Sequence, residues 1–229
     1  MLAGRLARAP DLAARCTRTP PDFNNPDWAA LLDAVSVAET RLFRLPGQFA
    51  TLAELLPGLG ATACRQGRAL RLLSAGCASG EEAWSLAALA LRHAPPSTRI
   101  EVLGLDMCRP SLDVARAGKT GAGLGDPLAL VPGEILPFLA DECRRPRPHP
   151  ALRAVTRFDR ANLRDALPGH FDVIFCRNVL IYLHEAARRE VVARLTEALH
   201  PGGVLGLGPT DQRPAGLVPL GEMLWRRDA

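Results

Sequence analysis

Lysine is nearly absent from this chain: Lys119 is its only one among 28 lysines and arginines in 229 residues. The skew toward arginine reflects compositional bias. The net charge of +4 is read either as a solvated surface or as a docking face for an acidic protein partner. Nucleic acid is not expected as a partner. No apolar run reaches membrane-spanning length, so no membrane insertion is expected. The first ten residues are Arg- and Pro-containing, and no signal-type apolar region follows them. That pattern predicts a cytoplasmic protein. No Cys-x-x-Cys pair occurs among Cys16, Cys64, Cys77, Cys108, Cys143 and Cys176. No histidine stands at ligand spacing from any of them, which excludes the common zinc frameworks. A disulfide scaffold does not suit a chain of this size. Internal repeats are missing. Tyrosine occurs once, at Tyr182.

What is present is a strand and helix alternation. Residues 1–24 predict a flexible Arg/Pro-rich arm. Residues 25–60 predict a short helical segment, with Asn25 as cap and Pro26 in the first turn. A second helix should follow Pro46 and stop at Pro57-Gly58. Residues 61–229 then predict an α/β domain. Strands are expected at 70–75, 100–106, 153–158, 171–176 and 204–208, with a last strand or hairpin at 217–226. Helices are expected at 80–93, 110–117 and 184–199, the last ended by Pro201-Gly202-Gly203. A further helix is expected within 126–142, interrupted at Pro132 and Pro137. Residues 118–125 are expected to form a turn and 144–150 a proline-rich loop. Strands alternating with helices predict an α/β fold with a doubly wound, mostly parallel sheet.

In such sheets ligands bind past the carboxyl ends of the strands. The first strand runs into Gly76-Cys77-Ala78-Ser79-Gly80, and that loop opens a helix at Glu81-Glu82. Gly76 and Gly80 permit close backbone approach. A dinucleotide would place its pyrophosphate at this helix start. Two carboxylates there repel a phosphate by ~1 kcal/mol per charge pair at 4 Å in water, and by ~4 at an effective dielectric of 20. The loop therefore suits an adenosine-containing cation without phosphates, and S-adenosylmethionine (SAM) has that chemistry. The two glutamates also have a plain structural use against the helix dipole. Asp106 ends the second strand, where a carboxylate accepts ribose hydroxyls or caps the next helix. Asn162-Leu163 follows the third strand, as an adenine-edge contact or as a turn. Arg177 and Asn178 leave the fourth predicted strand, 171–176, toward the crevice. Tyr182 is either a residue of that mouth or an amphipathic core residue.

Taken together, these segments resemble the CheR-type chemotaxis receptor methyltransferases. Asn25-Pro26-Asp27-Trp28 through Glu39-Thr40-Arg41-Leu42-Phe43-Arg44 is similar to that family's Asn-Pro-Glu-Trp … Thr-x-Phe-Phe-Arg region. Ser74 to Ser85 is similar to its Ser-Thr-Gly-Glu-Glu loop, and Phe171-Asp-Val-Ile-Phe-Cys-Arg-Asn-Val-Leu-Ile-Tyr182 is a specific match. The resemblance implies a class I SAM-dependent methyltransferase, Rossmann-like, with a shortened N-terminal domain. It implies transfer of a methyl group to a glutamate carboxylate of a chemoreceptor-like helical bundle, leaving S-adenosyl-L-homocysteine (SAH). By the same resemblance Thr40, Arg44, one or both of Glu81 and Glu82, Asp106, Asn162, Leu163, Arg177 and Asn178 bind the cofactor, beside the loop whose Gly76 and Gly80 permit its close approach. Arg44 and Tyr182 would flank the methyl group and the incoming carboxylate. Ala38 and Leu42 depart from the family's usual Asn and aromatic. Two other functions remain open: a related methyltransferase with a small-molecule acceptor, and a non-catalytic SAM- or SAH-binding signalling module.

Overall fold

The computed structural model describes residues 4, 6, 9–37, 39–120 and 125–228. Ala38 and residues 121–124 of the expected 118–125 turn lie outside them. Within the segment read as an arm, Pro10–Cys16 form helix α1. Arg15 pairs with Asp27 at 3.1 Å, and the Trp28 indole donates to Thr19 Oγ1. Helix α2, Pro26–Val35, starts where the cap predicts: Asn25 Oδ1 accepts from the amides of Asp27 and Trp28.

Helix α3 spans Pro46–Arg65 and corrects the expected stop at Pro57-Gly58. Proline in a helix interior removes one backbone hydrogen bond and crowds the preceding turn. Here packing on both sides of Pro57 outweighs that. Leu52 and Leu56 before it, and Gly60 and Ala63 after it, are all buried. A Cβ on Gly60 would lie 2.7 Å from Pro95 Cδ, so the second half of the helix is pressed against the chain after the next helix.

The sheet has seven strands in the order β3-β2-β1-β4-β5-β7-β6. These are β1 Leu70–Ala75, β2 Ile100–Asp106, β3 Thr156–Arg160, β4 Phe171–Cys176, β5 Leu199–Leu207, β6 Leu217–Gly221 and β7 Leu224–Arg227. The first five pair in parallel, while β7 runs antiparallel to both β5 and β6. The final segment is therefore a hairpin. All six residues of β4 are buried, as expected of a strand covered on both faces.

Helices α4 (Glu81–His93), α5 (Arg109–Ala117) and α8 (Glu185–Glu197) are the main crossovers. Successive β-strand residues point to opposite faces, so the core divides in two. Leu72, Val173 and Phe175 face α3 and α4, with Phe49, Leu52, Trp84 and Leu86. Leu73, Ile174 and Cys176 face α8, with Val191 and Leu195.

Three further expectations are corrected. Of 126–142, only Leu136–Leu139 (α6) is helical, because prolines recur too closely for a longer run. A short helix, α7 (Pro150–Val155), begins at the end of the proline-rich loop and pushes β3 to start at Thr156. Pro201-Gly202-Gly203 lies inside β5, where the β4 pairing register shifts between Phe171 and Val173. The irregularity leaves Pro201, which lacks an N–H, outside the regular ladder.

Strands β2 and β3 lie on one side of β1, and β4 and β5 on the other. The direction of winding reverses between β1 and β4, and a crevice opens at such a point on the carboxyl side.

Candidate active site

The loop after β1 is held in a tight arch. The amides of Gly76 and Cys77 donate to Leu105 O at 2.7 and 2.9 Å. Gly76 has φ +82°, and a Cβ there would meet Val179 Cγ2 at 2.2 Å. Its glycine therefore admits the segment after β4. Gly80, with φ +94°, precedes α4, and a Cβ on it would crowd Ala115 and Phe158. Both glycines are required by the chain's own packing.

Asp106 ends β2 beside this arch. One carboxylate oxygen accepts from the Ala78 amide at 2.8 Å and the other from the Cys108 amide at 2.8 Å. Each carboxylate oxygen has two acceptor sites, so Asp106 fixes the arch and retains acceptor capacity for a diol. The Ala161 amide donates to Asp106 O, which brings Asn162 and Leu163 to the same place. Asn162 Oδ1 accepts from the Arg164 amide, a turn bond, and the Leu163 side chain is 8% exposed in the core. Only the backbone of this pair and the amide end of Asn162 remain for a ligand.

Glu81 and Glu82 are both buried. Glu82 is turned inward, accepting from Ser74 Oγ at 2.7 Å and from Arg177 Nε at 2.6 Å. Both of its oxygens are engaged, and Arg177 balances its charge. The Glu82 charge is therefore not available to repel a phosphate. Glu81 Oε2 accepts from Ser79 Oγ at 2.7 Å.

Arg177 is the hub. Its side chain is 2% exposed, and its guanidinium lies over both the Phe49 and Phe175 rings, 5.0 Å from each centroid. Nη1 donates to Arg44 O and to Gln48 Oε1. Gln48, 1% exposed, in turn donates to Leu207 O at 2.8 Å. On the other side of the turn, the Phe43 amide donates to Ser85 Oγ, which donates to Glu81 O. Phe43 and Leu45 both have positive φ, an unfavourable conformation for non-glycine residues. The turn bearing Arg44 is therefore gripped by α4, β4 and β5 together. The Arg44 side chain is half-buried and donates to Glu39 O. Thr40 lies in the same loop, and Leu42 fills the core where the resemblance has an aromatic.

Asn178 follows Arg177 at φ 59°, and its Oδ1 is buried with no partner among the described residues. Tyr182 ends the 3-10 turn Leu180–Tyr182 and is 57% exposed. Burial pushes the Cys77 and Cys176 thiols up, with nearby carboxylates adding to the effect. Both are inert packing residues, as expected. Gln48, Ser74 and Ser85 were not expected at the site. For Gln48 a signal existed: it sits four residues before Leu52 and eight before Leu56 on an otherwise apolar helical stripe.

Residues 38–216 match the family described as CheR methyltransferase, SAM binding domain. The chain belongs to that family. A probable biofilm formation methyltransferase WspC of Pseudomonas aeruginosa is 35% identical over 210 residues, covering 84% of this chain and 46% of the relative. Chemotaxis protein methyltransferase 1 of the same organism is 31% identical over 191 residues, covering 79% and 68%. The chemotaxis protein methyltransferase of Salmonella typhimurium is 31% identical over 201 residues, covering 82% and 65%. The chain spans about half to two thirds of the length of these relatives.

The cofactor of this CheR domain is SAM. The residues present fit it. SAM carries N–H and O–H donors and a sulfonium, with no phosphate. The crevice offers acceptors in Asp106, Glu81 and the unmatched Asn178 Oδ1, while the nearby Arg177 cation is already committed to Glu82. Among the described residues no cluster of His, Cys, Asp and Glu could hold a metal ion, and no helix is long and apolar enough to cross a membrane.

Proposed function

We propose that this protein transfers a methyl group from SAM to a glutamate carboxylate on a chemoreceptor-like helical bundle. The observation that carries this reading is the clamped Arg44 turn: Arg177 and Ser85 hold a half-buried arginine between the cofactor helix and β4. An arginine fork recognises a carboxylate in a fixed plane. Bound in the crevice, SAM supplies an electrophilic methyl group on a cationic sulfur. A glutamate acceptor, with its usual pKa of ~4.3, is already ionised at neutral pH and needs no base. The chain's task is then to position and to exclude water. Orientation of this kind is worth ~7–11 kcal/mol in well-aligned intramolecular reactions. Arg44 orients the carboxylate, and Tyr182 closes over the methyl pocket. Glu81 faces the cofactor at the start of α4, with Asp106 on the ribose and Asn162-Leu163 at the adenine edge. Thr40 and Asn178 complete the cofactor shell, and Arg177 acts on it through Glu82 and the Arg44 turn. Six free cysteines agree with a reducing, cytoplasmic setting.

The test is incubation with methyl-tritiated SAM and receptor signalling-domain fragments. Alkali-labile label on the fragments is expected, because a carboxyl methyl ester hydrolyses in base. Label confined to small carboxylic acids, or none at all, refutes the proposal.

A further inference from the structure

The C-terminal hairpin closes on the two-residue loop Glu222-Met223, since Gly221 of β6 pairs with Leu224 of β7. Both loop residues have positive φ, +50° and +59°, and they follow Gly221 at +93°. Two left-handed residues in a row are the pattern of a type I′ turn, which favours Asn-Gly. Glutamate and methionine are unfavourable choices there. Glu222 is exposed, so core packing of its side chain does not offset the strain. Backbone outliers of this kind persist where the surroundings fix them, and they gather at functional sites.

The surroundings of this tip are the first turn of α3. A Cβ on Gly47 would lie 2.6 Å from Glu222 Oε2, so the Glu222 carboxylate rests against the chain three residues after Arg44. Leu45, at the cap position of α3, makes no side-chain cap bond, and an anion is favoured at a helix N-terminus. Beside this contact, Gln48 Nε2 donates to Leu207 O at 2.8 Å and to Met223 O at 3.4 Å. The Leu207 amide donates to the same Met223 O at 3.1 Å. The tip therefore joins β5 to α3. Facing it is the other strained turn, with Phe43 at φ +53° and Leu45 at +62° on either side of Arg44. Ser85 holds the Phe43 amide and Arg177 holds the Arg44 carbonyl. The hairpin tip holds the end of the turn that enters α3.

We propose that Glu222 is a positioning residue. Its carboxylate, pressed against Gly47, sets the start of α3 and through it the aim of the Arg44 side chain at the acceptor carboxylate. This rests on the proposed function and deepens it, by adding the C-terminal hairpin to the parts that govern the acceptor. The effect passes through Arg44 and not through the cofactor.

Two substitutions remove the contact from opposite sides while easing the backbone. Glu222→Asn suits a positive φ better and is one methylene too short to reach Gly47. Gly47→Ala is the better helix former, and its methyl group displaces the carboxylate. Each variant is expected to keep Tm at or above wild type and SAH affinity by calorimetry within twofold. Each should lower kcat for methyl transfer to a receptor fragment at least fivefold. In an Arg44→Ala background the same changes should alter kcat less than twofold, because residues acting through one another are not additive. A smaller loss of kcat in either variant overturns the proposal. So does a fall in Tm in step with kcat, which makes the contact merely structural. An equal loss with and without Arg44 overturns it as well, by giving Glu222 a route of its own. Failure of the wild type to label the fragment refutes the proposed function, and the positioning role with it.

Discussion

At the residue scale, the rule that polar groups past strand ends face the crevice singles out Asp106, Arg177 and Asn178 in the sequence, and the structure sets them at the ends of β2 and β4. It could not say what Arg177 does there, because its partner Glu82 is 95 residues away and the pairing is made only by the fold. The buried pair makes a sharp prediction. Removing one member of a buried ion pair strands the other charge and costs about 3–5 kcal/mol. Arg177→Met should lose about that much in urea unfolding, and adding Glu82→Gln should recover part of it. Single variants losing less than about 1 kcal/mol would show that the pair is not the keystone of this corner. Arg44 is different, since its backbone carbonyl, not its side chain, takes the clamp. Arg44→Ala should leave the turn in place and lower methyl transfer far more than SAH affinity. Equal losses in a tritiated-methyl assay and in calorimetry would remove its role as orienter of the carboxylate.

At the scale of elements, β1, β2, β4, α2, α4 and α5 stand close to where apolar runs and punctuation place them. Those elements have strong local signals: a capping Asn25, a glycine arch, an Asp at a strand end. The expectations that failed turn on proline and glycine: at Pro57-Gly58 and Pro201-Gly202-Gly203 the packing overrides their local preference, whereas in 126–142 the prolines prevail. Helix α3 is the clearest case, passing through Pro57-Gly58 because its far half is buried. Gly58 is exposed with nothing within 4 Å of a Cβ, whereas Gly60 is buried and would clash with Pro95. Glycine in an exposed helix interior is about 0.8–1 kcal/mol less favourable than alanine. Gly58→Ala should therefore stabilise the protein, raising Tm by a few degrees. Gly60→Ala should lower it, since the neighbouring proline ring cannot move aside as a flexible side chain would. The same sign for both in a thermal melt would show that the far half of α3 is not pressed against Pro95.

At the scale of the whole molecule, the parallel order and the reversal between β1 and β4 follow from the alternation of strands and helices. The C-terminal hairpin order, with β7 inside β6, does not, because nothing local decides which arm enters next to β5. The architecture also separates two ends. Ligand groups gather at the carboxyl ends of the strands. At the amino ends lies a charged cluster, in which Arg68 holds Asp172 at 2.7 Å while His170 and His200 stack at 5.5 Å. His200 is held below its ordinary value, first by partial burial and then by the Arg68 charge, with His170 and Arg71 adding to it and Asp172 opposing. The unfolded chain takes up this proton at about pH 6.5, before the folded protein does. Linkage then requires stability to fall as the pH drops through that value toward the folded one. His200→Gln should flatten this part of the stability profile in urea melts between pH 7.5 and 5.5. Because the cluster sits at the edge of the sheet opposite the crevice, SAH affinity measured over the same range should be equal in wild type and variant. A variant whose cofactor affinity departs from wild type as the pH falls would mean that the two ends of the sheet are coupled, and that the strands between them do not act as a rigid divider.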